Sequence, residues 1–86
     1  MIVDFHRDFK KELKTLPKKY QEQFFKRLDI FFQNPHHIIL NNHKLSGKLK
    51  NMRSINITGD IRVIYEQMDK NVVLFLTIAN HNNLYE

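Results

Sequence analysis

The spacing of the apolar residues changes along the chain, and this change limits the folds that the chain can adopt. Before Pro35, apolar side chains recur every three or four residues, which is the period of one face of an α-helix. After Arg53 they alternate with polar side chains, which is the period of a half-buried β-strand. The sequence therefore predicts a helical part followed by a sheet.

Two apolar stripes define the helical part. The first contains Phe5, Phe9, Leu13 and Leu16, and the second contains Tyr20, Phe24, Leu28 and Phe31. Pro17 ends the first helix and can open the next, because its missing N–H costs nothing in a first turn. Asn34-Pro35 ends the second helix, so the two form a helical hairpin. Phe25 and Phe32 widen the second stripe and predict that this face is deeply covered.

The strands are predicted at the two ends of the chain. Met1 to Phe5 is a short apolar segment that suits an edge strand, and residues 36–50 are predicted as a loop with an apolar centre. Three strands then follow, around Ile55 and Ile57, over Ile61–Glu66 and over Val72–Ala79, with turns at Gly59-Asp60 and at residues 69–71. The last strand is apolar on both faces, as a central strand would be.

These elements predict one α+β domain over residues 1–86. Its order is β-α-α-β-β-β: an N-terminal strand, a helical hairpin and a three-stranded antiparallel meander, with the helices packed on one sheet face. The chain has no cysteine, which excludes disulfides, thiolate zinc sites and cysteine nucleophiles. No apolar run approaches the roughly 20 residues of a membrane span, and the N-terminus lacks a secretory pattern. We therefore expect a cytoplasmic protein with no membrane partner.

Positive charge is concentrated in the middle of the chain. The formal net charge is +5, and residues 36–53 hold four cations and three histidines but no acidic residue. Such a cluster favours a polyanionic partner, namely nucleic acid, an acidic protein or anionic lipid. The four cations of this segment are Lys44, Lys48, Lys50 and Arg53.

Three stretches carry a family resemblance. They are the "LxG" of Leu45–Gly47, "RSINITGDIRVIY" from Arg53 to Tyr65, and the closing "IANHNNLY". Together they resemble the RelE/ParE superfamily of toxins of type II toxin–antitoxin systems, and most closely its RelE/YafQ-type mRNA interferases. The resemblance implies a RelE-like fold and an endoribonuclease that cleaves mRNA at the ribosome and stops translation.

RNA can be cleaved without a metal. The 2′-OH attacks the adjacent phosphate, a base removes its proton, an acid protonates the leaving 5′-oxygen, and cations stabilise the added negative charge. The resemblance implies catalytic roles for four residues: His81 as general acid, Arg62 on the phosphate, Asp60 as a base or a group that orients a histidine, and His43. YafQ-like members carry a further histidine where this chain has Asn56, which leaves the base open between His43 and Asp60.

Each of these residues also has a plainer interpretation. His81 could be a surface histidine, Asp60 an ordinary turn residue, and Arg62 an ion-pair partner of Asp60 or Glu66. Without the resemblance, His43 would be a loop histidine. The sequence alone does not choose between these interpretations.

The basic segment and the C-terminal aromatic residue complete the predicted site. Lys44, Lys48, Lys50 and Arg53 are predicted to contact mRNA or ribosomal RNA, because a cation cluster without acids matches a phosphate backbone. Tyr85 is predicted to stack on an unpaired base, although it could equally plug the core. His36 and His37, with His43, could suggest a metal site, but no carboxylate or thiolate lies in the loop, and we predict no metal and no cofactor.

The resemblance also implies partners, and two other functions remain open. Toxins of this superfamily pair with small acidic antitoxins, in a heterotetramer or a higher complex, and the basic segment suits such a partner. One alternative is a non-enzymatic inhibitor of DNA gyrase of the ParE type. The other is a basic nucleic-acid-binding module without catalysis.

Overall fold

The computed structural model describes residues 1–47 and 51–80, and it confirms the predicted α+β fold. The elements are β1 (Ile2–Phe5), α1 (Arg7–Thr15), α2 (Lys18–Gln33), a 3₁₀ turn (Ile38–Leu40), β2 (His43–Lys44), β3 (Met52–Asn56), β4 (Ile61–Gln67) and β5 (Val72–Asn80). Within these residues, neither helix is long and apolar enough to cross a membrane.

The strands form one mixed sheet in the order β1-β5-β4-β3-β2. The predicted meander is present, since β3, β4 and β5 pair antiparallel in sequence order. β1 adds at the other side of β5, in parallel, with Ile2 opposite Val72. β5 therefore has a hydrogen-bonded neighbour on both sides, which accounts for its continuous apolar sequence.

The segment predicted as a loop over residues 36–50 contains two short ordered elements. Ile38–Leu40 forms the 3₁₀ turn, and His43–Lys44 adds as strand β2 to the edge of the sheet, with His43 opposite Ser54. The alternation of apolar residues could not reveal a strand of two residues. Its presence depends on hydrogen bonds to β3, which lies about ten residues later in the chain.

The core lies between the two helices and one face of the sheet. Phe75, at the middle of β5, is fully buried and contacts several other rings. Its neighbours are Phe5, Phe9, Phe24, Phe31 and Tyr65, with ring centroids 5.5–6.1 Å away. Most of these pairs meet edge to face, an arrangement that adds to the free energy gained by burying the rings.

The prediction that Phe25 and Phe32 are deeply covered is wrong. Their exposed fractions are 52% and 47%, whereas Phe24 and Phe31 are 1% and 0% exposed. Successive residues of an α-helix point about 100° apart, so the stripe that packs on the sheet turns its neighbours away from it. Within residues 1–47 and 51–80 only one stripe of α2 is covered.

The sheet has a second face, on the side away from the helices. Ile55 and Val63 lie opposite each other and belong to the core, so they mark the helix-facing side. Side chains alternate between faces along a strand, and paired residues share a face. The residues that alternate with these core positions therefore lie on the far face, which bears His43, Ser54, Asn56, Arg62 and Ile64.

Candidate active site

Arg62 lies on β4, directly opposite Asn56 of β3, on the far face of the sheet. One guanidinium nitrogen, Nη1, donates a hydrogen bond to Asn56 Oδ1 over 2.7 Å. Both residues are half-buried. A bond of this kind holds a long side chain in one orientation, and an arginine held on a sheet face presents its planar, permanently charged group to an anion.

His43 reaches the same face from β2. It lies opposite Ser54, two positions before Asn56 on β3. Its Nδ1 is 2.8 Å from the backbone oxygen of Asn41. Because a carbonyl oxygen only accepts, this bond requires the proton on Nδ1, and the neutral ring then carries its lone pair on Nε2. The bond to Asn41 therefore makes Nε2 the ring nitrogen of His43 that can accept a proton.

His43 and Arg62 lie on either side of a short stretch of the far face. The two residues are two strand spacings apart across the sheet and two residues apart along it, which places their Cα atoms about 12 Å from each other. Both side chains are long enough to extend toward a group bound between them. The structure therefore brings together one predicted proton acceptor and one predicted phosphate ligand.

Asp60 lies at the end of the sheet, in the turn that joins β3 to β4. The Thr58 hydroxyl oxygen accepts hydrogen bonds from the backbone N–H groups of Asp60 (3.1 Å) and Ile61 (3.0 Å). These bonds order the turn, and Asp60 is exposed at its tip. Asp60 is thus beside the Arg62 end of the site and distant from His43.

β5 ends at the same end of the sheet. Its last residue, Asn80, lies opposite Ile61 at the start of β4. His81 and Tyr85, which were predicted as general acid and stacking aromatic, lie outside the described residues. Their roles stay predictions.

The four predicted RNA-binding cations are not equivalent. Lys44 is exposed on the edge strand β2, where it pairs with Arg53 and so also lies on the helix-facing side. Lys48 and Lys50 lie outside the described residues. Arg53 pairs with Tyr65, a core residue, and so lies on the helix-facing side rather than beside His43 and Arg62. Its Nε donates to Asn42 Oδ1 over 2.7 Å.

A family comparison identifies the class of protein to which this site belongs. The family model described as "Bacterial toxin of type II toxin-antitoxin system, YafQ" matches residues 1–86. The chain belongs to the YafQ toxin family. It is therefore a toxin of a type II toxin–antitoxin system, as the resemblance implied.

Solved structures of related toxins share the fold of this YafQ-family chain. YafQ from E. coli strain BL21(DE3) is 17% identical, with a TM-score of 0.78 over 98% of this chain and 97% of that chain. The E. coli DinJ-YafQ toxin-antitoxin complex matches with 17% identity and a TM-score of 0.77, over 98% and 96% of the two chains. The archaeal RelE-RelB complex from Pyrococcus horikoshii OT3 is 28% identical, with a TM-score of 0.71 over 92% of each chain. No curated protein matches the sequence significantly.

Asn56 is where this YafQ-family chain departs from the pattern implied by the resemblance. The resemblance places a histidine here, and an amide cannot act as a base in its place. The structure shows what the asparagine does: its side-chain oxygen accepts from Arg62. Asn56 and Arg62 therefore form one hydrogen-bonded pair.

Sequence reasoning missed Ser54 and Asn42. Ser54 is 1% exposed on the far face, and among the described residues its hydroxyl oxygen has no hydrogen-bond partner. Asn42 bonds to three other residues, including Arg53. The alternation of Ser54 and Asn56 with core isoleucines could have indicated a polar face on β3. Nothing in the sequence distinguishes Asn42 from Asn41.

The histidines of the basic segment are engaged separately. His37 Nδ1 accepts from the backbone N–H of Ile39 over 3.1 Å and caps the 3₁₀ turn, while His43 bonds to Asn41. Among residues 1–47 and 51–80, no three side chains of histidine or carboxylate type are grouped so that they could hold a metal ion.

Proposed function

We propose that this YafQ-family toxin is an endoribonuclease that cleaves mRNA at the ribosome and thereby inhibits translation in the cytoplasm. RelE-type toxins generally cleave mRNA. The observation that carries the proposal is the placement of His43 and Arg62 on one sheet face, each held by a hydrogen bond. A base and a fixed cation are two of the parts that RNA cleavage needs.

His43 is the general base in this mechanism. Nε2 takes the proton of a ribose 2′-OH, and the oxygen attacks the adjacent phosphorus to form a 2′,3′-cyclic phosphate. The bond from phosphorus to the 5′-oxygen breaks, and His81 donates a proton to that oxygen. His43 is preferred to Asp60 because its Nδ1–H is already bonded to a carbonyl oxygen, which leaves Nε2 to accept.

Arg62 stabilises the charge that develops on the phosphate. Its guanidinium can bind two non-bridging oxygens at once and remains charged at every working pH. We assign to Asp60 the role of orienting His81, because Asp60 precedes Ile61, which pairs with Asn80, and His81 follows Asn80 in the chain. These groups supply proton transfer and charge stabilisation themselves, so the proposed reaction needs no metal and no cofactor.

Substrate and partner binding use the basic segment. Lys44, Lys48 and Lys50 contact the phosphates of mRNA or ribosomal RNA, and Tyr85 stacks on a base next to the cleaved bond. A cognate small acidic antitoxin binds the same positive surface and forms a heterotetramer or a larger complex. The E. coli DinJ-YafQ complex, a toxin-antitoxin complex of the same fold, supports an assembly with an antitoxin.

An in-vitro translation assay with mapped RNA ends tests the nuclease. We expect the wild-type toxin to cut a message only when ribosomes are present, equally well with and without a chelator of transition metals that leaves the Mg²⁺ of the ribosome in place. His81→Ala and Arg62→Ala should each slow cutting by about 10²- to 10³-fold, the effect of removing a proton donor or a charge-stabilising group. His36→Ala removes an exposed histidine to which the proposal gives no role; it is the control and should cut normally.

Three outcomes would contradict the proposal in different ways. If the wild-type toxin cut the message without ribosomes, the proposed dependence on the ribosome would be wrong, but the proposed nuclease activity would stand. Loss of cutting with the chelator would overturn metal independence. Intact message in every lane, with translation unaffected, would reject the enzyme, and gyrase supercoiling would be measured next.

The basic segment predicts a steep salt dependence. We expect affinity for an RNA with a 2′-deoxy group at the cleaved position to fall with salt, and Lys44→Ala to reduce the log–log slope by about 0.7, the release of one counterion from a single strand. Lys11→Ala removes the same charge from an exposed position on α1, outside the segment. An affinity that does not change between low and high salt would contradict the proposed RNA surface.

A further inference from the structure

Asn42 joins three separate segments of the chain through its side-chain amide. Its Nδ2 donates to the backbone oxygen of Pro35 and to the Tyr65 hydroxyl, each over 2.8 Å. Its Oδ1 accepts from Arg53 Nε over 2.7 Å. The partners belong to the segment after α2, to β4 and to β3. We call these four residues the Asn42 network.

The chemistry of the partners fixes the orientation of the amide. The Pro35 carbonyl can only accept and the Arg53 Nε–H can only donate, so the nitrogen and the oxygen of Asn42 cannot exchange places. Tyr65 is 2% exposed and packs against Phe31, with ring centroids 5.2 Å apart. The network is therefore attached to the rigid core through the Tyr65 ring.

The network lies next to His43 in the chain but on the other side of the sheet. Asn42 directly precedes His43, and the carbonyl that accepts from His43 Nδ1 belongs to Asn41. Asn41 has left-handed backbone angles (φ 45°, ψ 48°), which asparagine adopts more readily than most residues. Asn41, Asn42 and His43 are consecutive, and the middle residue is held by three hydrogen bonds. The backbone of this segment therefore cannot rotate, and this fixes the direction of the His43 ring.

We propose that Asn42, Arg53 and Tyr65 are positioning residues that hold His43 in the orientation of a general base. This rests on the proposed function, because it concerns the same proton transfer. It gives Arg53 a role different from the RNA contact expected from its charge, because its Nε is bonded to Asn42. Tyr65 is a core residue on the helix-facing side, and through Asn42 it helps to orient His43 on the far face.

Tyr65→Phe tests the proposal with the loss of a single oxygen atom. The ring still fills the core, but Asn42 loses one acceptor. We expect ¹⁵N spectra of the His43 ring to change from the Nδ1–H form to a mixture of forms, and single-turnover cleavage on ribosomes to slow roughly 10- to 100-fold, as for a misplaced catalytic group. Affinity for the 2′-deoxy RNA should stay within about twofold, since the proposal gives Tyr65 no contact with RNA.

Tyr20→Phe is the matched control. Among the described residues, the Tyr20 hydroxyl makes no such network, and its ring lies on α2 away from the far face. This variant should leave the His43 spectrum and the cleavage rate unchanged. Arg53→Ala should reproduce the effects of Tyr65→Phe on His43.

Two results would overturn the proposal. One is a His43 spectrum and cleavage rate that are unchanged in well-folded Tyr65→Phe. The other is an Arg53→Ala protein that binds the 2′-deoxy RNA weakly while its His43 spectrum is unchanged, which would make Arg53 an RNA ligand. If the wild-type protein cut no RNA, the proposed function would fail, but the His43 spectra would still decide whether the network positions the ring.

Discussion

We expect His43→Ala to slow the proposed ribosome-dependent mRNA cleavage by a factor of about 10² to 10⁴, the contribution that a positioned general base makes. The reason is local: Nδ1 is bonded to the Asn41 carbonyl, so Nε2 is the nitrogen that can accept the 2′-OH proton. Single-turnover rates on programmed ribosomes measure this, with the wild-type and variant toxins at saturating concentration. RNA affinity should change little.

Two comparisons make the result specific to His43. Asp60→Asn replaces the other candidate base and should cost less than His43→Ala, because Asp60 lies at the tip of the turn near Arg62. His36→Ala removes an exposed histidine from the same basic segment and should have no effect. A larger loss in Asp60→Asn than in His43→Ala would transfer the role of base to Asp60.

Phe75→Ala will lower the free energy of unfolding by about 3–5 kcal/mol. The side chain is fully buried and touches five other aromatic rings, so its removal loses transfer free energy and leaves a cavity between the helices and β5. A domain of this size is stable by only about 5–15 kcal/mol, so the variant will lose much of its stability. Urea unfolding followed by circular dichroism measures the change.

Phe32→Ala, on helix α2, is the matched control for this strand residue. This ring is 47% exposed, so the substitution should change the free energy of unfolding by about 0.5 kcal/mol or less. Similar losses for the two variants would contradict the one-sided packing of α2. They would mean that Phe32 is covered in solution.

The two predictions concern different properties of this toxin: His43→Ala changes the rate of cleavage, and Phe75→Ala changes the free energy of unfolding. Phe75 belongs to the helix-facing side of the sheet, and His43 and Arg62 belong to the far side. The strands of one sheet carry both sets, so each strand supplies core residues and site residues in alternation. A substitution on one face of the sheet should therefore change the structure of the other face little. The exception is the Asn42 network, which connects the two faces.

Most elements of the fold could be predicted from local patterns. The helical hairpin followed from the spacing of apolar residues and from Pro17 and Pro35, and the meander followed from the alternation around Ile55 and Ile57 and from the turns after it. Phe25 and Phe32 were misjudged because spacing does not reveal how wide a stripe the sheet covers. The two-residue strand β2 was missed because it exists only through pairing with β3.

The site could be predicted in part. Residue types and motif positions selected His43, Asp60 and Arg62 as candidates, but they could not say which share a face. Arg53 was grouped with the lysines because of its charge, and its bond to Asn42 depends on a contact between β3 and the segment before β2. Asn42 carries no signal in the sequence, since its three partners are distant in the chain.

The sequence by itself determined the class of fold, the central position of β5, the concentration of positive charge and the family, because each depends on composition or on a short-range pattern. Tertiary structure alone decided which side chains meet. The pairing register places His43 and Arg62 together on the far face and Arg53 on the other. An irregularity in the β4–β5 pairing, between Ile64 and Tyr65, lets Phe75 and Ile78 both pack on the core although they are three residues apart. Register and bulges arise from hydrogen bonds between distant strands, and a one-residue change in register exchanges the two faces.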